Sequence, residues 1–394
     1  MSDRLLIDPA ATEDRFARFR LIAWWDQERL RRAKVLLVGA GALGNEILKN
    51  LALLGIGNVF LVDLDRIANS NLSRCVLFRE DDCGQAKAEV AARRARDLYP
   101  EMRVQPFAGN VVYDLGLGVF RWADVVLGGL DNREARVAIN LAAARAGKVW
   151  IDGAIERLDG VARVFDPSTG PCYECTMSAI DWQMLAARRS CALLSRDEML
   201  DGKIPTTPTT ASIVAGIQTQ EAVKLLHGLP VIDGQGVVFD GTHHQTYLVR
   251  YTRKDDCPAH EPYEPIESMP RRIGETTAGE LLERARGDLG ADAVIEMNQD
   301  VLSALLCPAC DSEEPFFSSL GKATVAQSLC PRCGNPRTPR LLRRIEGNDP
   351  AILDRPLAAL GIPPWDILGA RVGDRYRYYE FSGDREAVLG ALAP

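Results

Sequence analysis

The alternation of apolar and polar positions marks a regular series of elements. Lys34–Val38 is a short apolar run, Leu43–Leu54 carries apolar residues at helical spacing, and Asn58–Val62 is apolar again. That order predicts strand, helix, strand. Val125–Gly128 and Val149–Asp152 read as further short strands, with a helix over Arg133–Ala146 between them. Val161–Phe165 and Thr246–Tyr251 read as later strands and Thr210–His227 as a long helix. Strands alternating with helices predict an α/β fold, Rossmann-like, with a mostly parallel sheet covered on both faces. After His260 the pattern changes. Glu261–Arg272 carries three prolines and reads as a linker. Beyond it come a helix at Thr277–Arg286, a strand at Ala293–Met297 and an aromatic strand at Tyr376–Phe381. The expected units are an aromatic and basic helical segment over 1–28, the α/β domain over 29–260, a linker over 261–272, and a smaller unit over 273–394. Trp365 and Tyr376–Tyr379 read either as a docking face or, preferably, as the core of that smaller unit.

The junction of the first strand and helix carries chemistry. Gly39, Gly41 and Gly44 stand in G-x-G-x-x-G spacing, where only glycine lets the backbone turn tightly and approach a phosphate. The following helix N-terminus offers free N–H groups and a positive dipole end to an anion. Asp63 and Asp65 close the second strand, where a ribose would lie. Alone, this favours a nicotinamide dinucleotide and a dehydrogenase. The next polar stretch, Ile67–Val90, argues otherwise, because it holds Asn71, Arg74 and Lys87. A triphosphate uses such cations, which stabilise charge as a phosphate bond breaks. The alternative is a solvated loop with incidental cations.

Composition narrows the class. The 394 residues suggest two or three domains, and the 46% hydrophobic and 26% charged fractions are those of a soluble globular protein. No apolar run of membrane-spanning length occurs, and the N-terminus lacks the features of a secretory signal, so a cytoplasmic location is expected. A net charge of −7 argues against a nucleic-acid surface.

Six of the ten cysteines stand in C-x-x-C pairs, which in such a chain points to metal. Cys172 and Cys175 with Cys257 and His260 form one candidate zinc set. The alternative is turn cysteines and a loop histidine. Cys307 and Cys310 with Cys330 and Cys333 are two C-P-x-C knuckles in zinc-ribbon spacing, holding a small unit together. Cys75 and Cys83 read as buried packing residues. Cys191 follows Arg188 and Arg189, whose charge favours the thiolate.

Four ordered motifs beyond the glycine turn, Asp63–Asp65, Ser70–Arg74, Gly84–Lys87 and Leu130–Arg136, spell D-x-D, S-N-L-x-R, G-x-x-K and L-D-N-x-x-x-R. In that order, over about residues 12–260, the chain resembles the ubiquitin-activating-enzyme superfamily of ThiF- and MoeB-like adenylyltransferases. The resemblance implies ATP and Mg²⁺ as cofactors beside the Zn²⁺. It implies that Gly39, Gly41 and Gly44 form the nucleotide loop and that Asp63 and Asp65 hold ribose or assist the metal. Asn71, Arg74 and Lys87 would hold phosphates, and Asp131 would take Mg²⁺. Arg15-Phe-Ala-Arg18 resembles an element that reaches into the partner's site in homodimeric relatives, which makes Arg18 a catalytic candidate in a homodimer. Two positions depart from the family pattern: Ala42 replaces a glycine of the turn, and Cys75 stands where glutamine is usual. Cys191 lies in the crossover segment where such relatives carry the thioester cysteine.

The implied function is adenylation of a ubiquitin-like protein with a C-terminal glycine, then thioester formation on Cys191 and transfer to a ubiquitin-conjugating-like enzyme. The implied setting is a bacterial conjugation system of the antiviral-defence kind. The nearest rival shares the first step and activates a sulfur-carrier protein for molybdopterin or thiamine synthesis. A dehydrogenase is disfavoured by Arg74, Lys87 and Asp131, and so is a scaffold that only binds nucleotide.

Overall fold

The computed structural model describes residues 14–183, 205–324 and 326–394. Its larger sheet has eight strands: β1 Lys34–Val38, β2 Asn58–Val62, β3 Arg103–Phe107, β4 Val125–Gly128, β5 Trp150–Glu156, β6 Asp159–Phe165, β7 Gln235–Asp240 and β8 Gln245–Arg250. The order is β3-β2-β1-β4-β5-β6-β7-β8. The pairings from β3 through β5 are parallel, and those of β5–β6, β6–β7 and β7–β8 are antiparallel.

Residues at period two sort to opposite faces of the parallel strands. Val35, Leu37, Val59 and Leu61 pack under α2 Ala42–Leu54, α3 Lys87–Leu98 and α6 Pro208–Leu226. Leu36, Val38, Phe60 and Val62 face α4 Leu117–Trp122 and α5 Arg133–Arg145. Burial on both faces explains why these strands read as unbroken apolar runs. The strand order reverses between β1 and β4, which opens a crevice at their C-terminal ends.

The N-terminal segment departs from expectation. Residues 14–26 form turns and one 3₁₀ turn, Phe19–Leu21, and the first helix, α1, is Gln27–Arg32. Asp26 sets that start by accepting from the N–H groups of Glu28 and Arg29. The aromatic residues before it serve tertiary packing instead: Phe16 meets Tyr99 edge-on and Phe19 lies 4.7 Å from Trp25 between centroids.

The C-terminal residues build a second sheet from β9 Ile266–Met269, β10 Val294–Cys307, β11 Ser312–Ser319, β12 Thr338–Ile345, β13 Ile367–Val372 and β14 Arg375–Phe381. Its path is β11-β10-β13-β14-β9, with β12 on β10. Strand β9 lies within the residues read as a linker. Pro265 and Pro270 bracket it without removing a donor from it, and it pairs in parallel with β14. Helix α7, Ala278–Leu289, covers this sheet.

This second region is packed into the first. Trp365 is 2% exposed and donates to Glu380 Oε1 at 2.9 Å. A Cβ on Gly118 would come within 2.5 Å of the Trp365 ring, so α4 lies flat against it. The Leu117 N–H donates to Asp366 Oδ1 at 2.9 Å. Arg121 of α4 pairs with Glu380. Leu389 and Leu392 join the cluster that holds Phe60 and Val62, and the Ala391 N–H donates to Gln105 Oε1 at 3.0 Å. The C-terminal chain thus completes the second face of the large sheet. Among the described residues, no helix is long and apolar enough to cross a membrane.

Candidate functional site

The glycine turn sits at the crevice. Gly39 has φ +98°, and a Cβ there would lie 2.4 Å from the Gly129 carbonyl oxygen. A Cβ on Gly44 would meet the Gly39 carbonyl oxygen at 1.8 Å. The first contact brings the turns after β1 and β4 together, the second closes the β1–α2 turn on itself, and neither tolerates a side chain. Gly41 has open space around its Cβ position and caps α2 without a side chain, leaving that helix end to a ligand.

Two of the sequence-predicted carboxylates and one predicted cation meet here. Asp63 accepts from the N–H of Ala40 at 2.6 Å and of Asp65 at 2.8 Å, tying the D-x-D loop to the glycine turn. Burial pushes its pKa above the usual carboxylate value, with Lys87 opposing. Lys87 Nζ lies 2.7 Å from Asp65 Oδ2 and is only 8% exposed. Burial pulls the Lys87 pKa down, but Asp63 and Asp65 more than offset it and the net shift is upward. Lys87 therefore stays charged at neutral pH. Asn71 is buried, and its Oδ1 accepts from the Ala68 N–H at 2.9 Å, fixing the loop that carries Arg74. The Arg74 guanidinium donates to the Ser70 carbonyl at 2.7 Å.

Across the crevice, Asp131 is exposed, immediately before the Asn132 cap of α5. Arg136, which closes the L-D-N-x-x-x-R motif, donates to the carbonyls of Leu130 at 2.6 Å and Gly153 at 3.0 Å. It also pairs with Asp152, which is fully buried and held from the other side by Arg163. Sequence reasoning passed over three supporting residues. Asn45, a buried polar position on an otherwise apolar helix face, bridges the Ala40 carbonyl and the Leu77 N–H. Gln218 donates to the Gly128 carbonyl at 2.8 Å. Arg136 ended a quoted motif but received no role.

The first cysteine set assembles as the spacing predicts. Cys172, Cys175, Cys257 and His260 bring their ligand atoms within 4.8 Å of one another. Cys172 Sγ lies 3.7 Å from Cys175 Sγ and 3.6 Å from Cys257 Sγ. A tetrahedral zinc with Zn–S of about 2.3 Å needs S···S edges of roughly 3.8 Å, so the set fits. Burial raises the Cys257 thiol to about 12, so a thiolate there needs a cation to compensate it. The set is stitched along α5: Asn140 accepts from the Tyr173 N–H at 2.9 Å and donates to Glu174 at 3.3 Å. Arg133, at the start of α5, pairs with Asp181.

The second set, Cys307, Cys310, Cys330 and Cys333, also gathers within 4.8 Å, with Cys307 3.5 Å from Cys333 and Cys310 3.7 Å from Cys330. It sits between the β10–β11 turn and the loop before β12, as a zinc ribbon does.

Cys75 is buried, and burial pushes its thiol up to about 11, as suits a packing residue. Cys83 is exposed, against expectation: it follows the 3₁₀ turn Glu80–Asp82 in a polar surface loop rather than an apolar face. Cys191, with Arg188 and Arg189, lies outside the described residues. Arg18 is exposed, while its neighbour Phe16 is anchored under Tyr99.

Residues 13–259 match the ThiF family model. The chain is 34% identical over 238 residues to a sulfur carrier protein adenylyltransferase of Thermus thermophilus, covering 59% of this chain and 83% of that one. It is 32% identical over 240 residues to a SAMP-activating enzyme E1 of Haloferax volcanii, covering 59% and 82%. It is 38% identical over 162 residues to a NEDD8-activating enzyme E1 catalytic subunit of Schizosaccharomyces pombe, covering 39% and 36%. Among solved structures, E. coli MccB with ATP is similar at a TM-score of 0.53 and 23% identity, over 64% of this chain and 75% of that one; this likeness concerns the fold.

Proposed function

Because the chain belongs to the ThiF family, we propose that it activates the C-terminal carboxylate of a ubiquitin-fold protein by ATP-dependent adenylation. The observation that supports this reading is the pairing of Lys87 with Asp65 and of Asp63 with the glycine turn, at the crevice between β1 and β4, the strand that leads to Asp131. The substrate carboxylate attacks the α-phosphorus, the bond to the bridging oxygen breaks, and pyrophosphate leaves with the electron pair. The α2 N–H groups, Lys87 and Arg74 hold the phosphates and offset the charge on the departing group. Mg²⁺ held by Asp131 and phosphate oxygens would neutralise the same charge. Both cysteine sets would hold structural zinc.

The second step in this reading is thioester formation on Cys191 and transfer to a ubiquitin-conjugating-like enzyme, within a homodimer whose Arg18 reaches the partner's site. Sulfur-carrier activation is the second reading, favoured by the Thermus thermophilus relative, of which 83% is covered. The test is ATP–pyrophosphate exchange, expected only when a ubiquitin-fold protein with a free C-terminal glycine is present. Asp131→Ala should lower it by about 10²-fold or more. NAD-dependent hydride transfer with no exchange would sink the reading. A thiol-cleavable adduct lost in Cys191→Ala separates conjugation from sulfur transfer.

A further inference from the structure

The loop after β11 belongs to the C-terminal region, outside the residues matched to the family, yet it lies against residues 113–114 of the segment that follows β3. Gly321 lies against Tyr113, so closely that a Cβ there would come within 2.0 Å of the ring. Lys322 Nζ lies 2.7 Å from Asp114 Oδ1. The Tyr113 hydroxyl donates to Glu134 Oε1 at 2.9 Å. Glu134 stands in the first turn of α5, the helix that starts just after Asp131 and its Asn132 cap.

The segment between is cross-bonded on itself. The Asn110 N–H donates to Asp114 Oδ2 at 2.9 Å, and Asn110 Oδ1 accepts from the Val112 N–H at 2.8 Å. The Asp114 N–H donates back to the Asn110 carbonyl at 2.8 Å. This turn leads directly from β3 and Phe107, on the same sheet as the glycine loop. A displacement of the Leu320–Lys322 loop is therefore passed to Tyr113, and from Tyr113 to the first turn of α5, with few soft links to absorb it.

We propose that Tyr113 is a positioning residue through which the C-terminal region sets the Asp131 carboxylate. The proposal rests on the reading of Asp131 as a metal ligand at a nucleotide site. In it, Gly321 is required because its bare backbone admits the Tyr113 ring, and Lys322 pins the turn that carries that ring. The region beyond the family match thereby tunes the affinity of the nucleotide site for its divalent cation. Positioning errors of this kind are felt because a carboxylate must meet cation and phosphate oxygens at one place.

The experiment uses the full chain and Mn²⁺ as the probe, titrated in the presence of saturating ATP and read by electron paramagnetic resonance. Asp131→Asn is the reference and should weaken Mn²⁺ binding most. Tyr113→Phe and Lys322→Ala should each weaken it by roughly 3- to 10-fold. Gly321→Val should do the same by wedging the ring. A role confined to folding would lower the melting temperature and leave the Mn²⁺ affinity of the folded fraction unchanged. Unchanged affinity in both Tyr113→Phe and Lys322→Ala overturns the proposal, and so does an Asp131→Asn that binds Mn²⁺ normally. Because this readout needs no protein substrate, failure here is distinct from absence of pyrophosphate exchange.

Discussion

The two cysteine sets offer similar ligands in unlike surroundings. Cys172, Cys175, Cys257 and His260 lie along α5, with Cys172 and Cys175 buried and Asn140 hydrogen-bonded to the knuckle between them. Cys307, Cys310, Cys330 and Cys333 lie at the tip of a β ribbon, with Cys333 exposed and only a small apolar cluster, Leu302, Leu305 and Ala323, behind it. One set is attached to the helix that begins beside Asp131. The other supports a strand pair whose far end carries the Leu320–Lys322 loop. With zinc bound as proposed, the same coordination chemistry would serve as a staple of the α/β core in one place and as a substitute for a core in the other.

Substitution can break this contrast. Cys175→Ser should have the largest effect: loss of one zinc by metal analysis, a fall in melting temperature of about 5–10 °C or more, and pyrophosphate exchange near background. Equal loss of exchange with Cys307→Ser would erase the distinction between the sets. Cys307→Ser is expected to release only the second metal and to loosen the ribbon, detected as faster amide exchange over β10–β12. Its pyrophosphate exchange should stay within about tenfold of wild type, the residue reflecting the Leu320–Lys322 loop.

Asn140→Ala is a sharper probe, because it leaves all ligands in place. Without its acceptor, the Tyr173 N–H remains buried, at a cost of about 1–3 kcal/mol measured by denaturant titration. Zinc content should stay at two per chain. The smallest effect concerns the other thiols. Cys83 should react with Ellman's reagent in the native protein within the mixing time, while Cys75 reacts only on unfolding. Alkylation of Cys83 should leave the melting temperature unchanged.

Much of the first region was legible because its signals are local. The glycine spacing, the apolar runs of β1 and β2 and the D-x-D and L-D-N motifs each act within a few residues, and the structure brings them together at one crevice. The second region was less legible because its signals are not local. Strand β10 runs from Val294 to Cys307, but Asn298, Gln299 and Asp300 interrupt the apolar alternation where the register shifts, so only its start was read. Strand β9 hid between prolines that fall just outside it. Trp365 was expected in the core of the smaller unit; it is buried instead in the cluster on the large sheet, and Tyr376 is exposed. That cluster includes Phe60 and Trp122 of the α/β region, a partnership that no window of sequence reveals. Asp152, Arg136 and Arg163 are legible only as charges until the fold buries them together.

The tail contact has a consequence for how the protein is made. Leu389 and Leu392 lie against the sheet that holds β2 and β3, yet these residues leave the ribosome long after those strands. The nascent α/β region must therefore wait, with an apolar strip of its sheet uncovered, until the tail arrives. A polypeptide halted before that point presents a surface that chaperones and proteases recognise. Residues 385–394 thus help decide whether the α/β sheet survives its own synthesis, through packing on β2 and β3 rather than through chemistry.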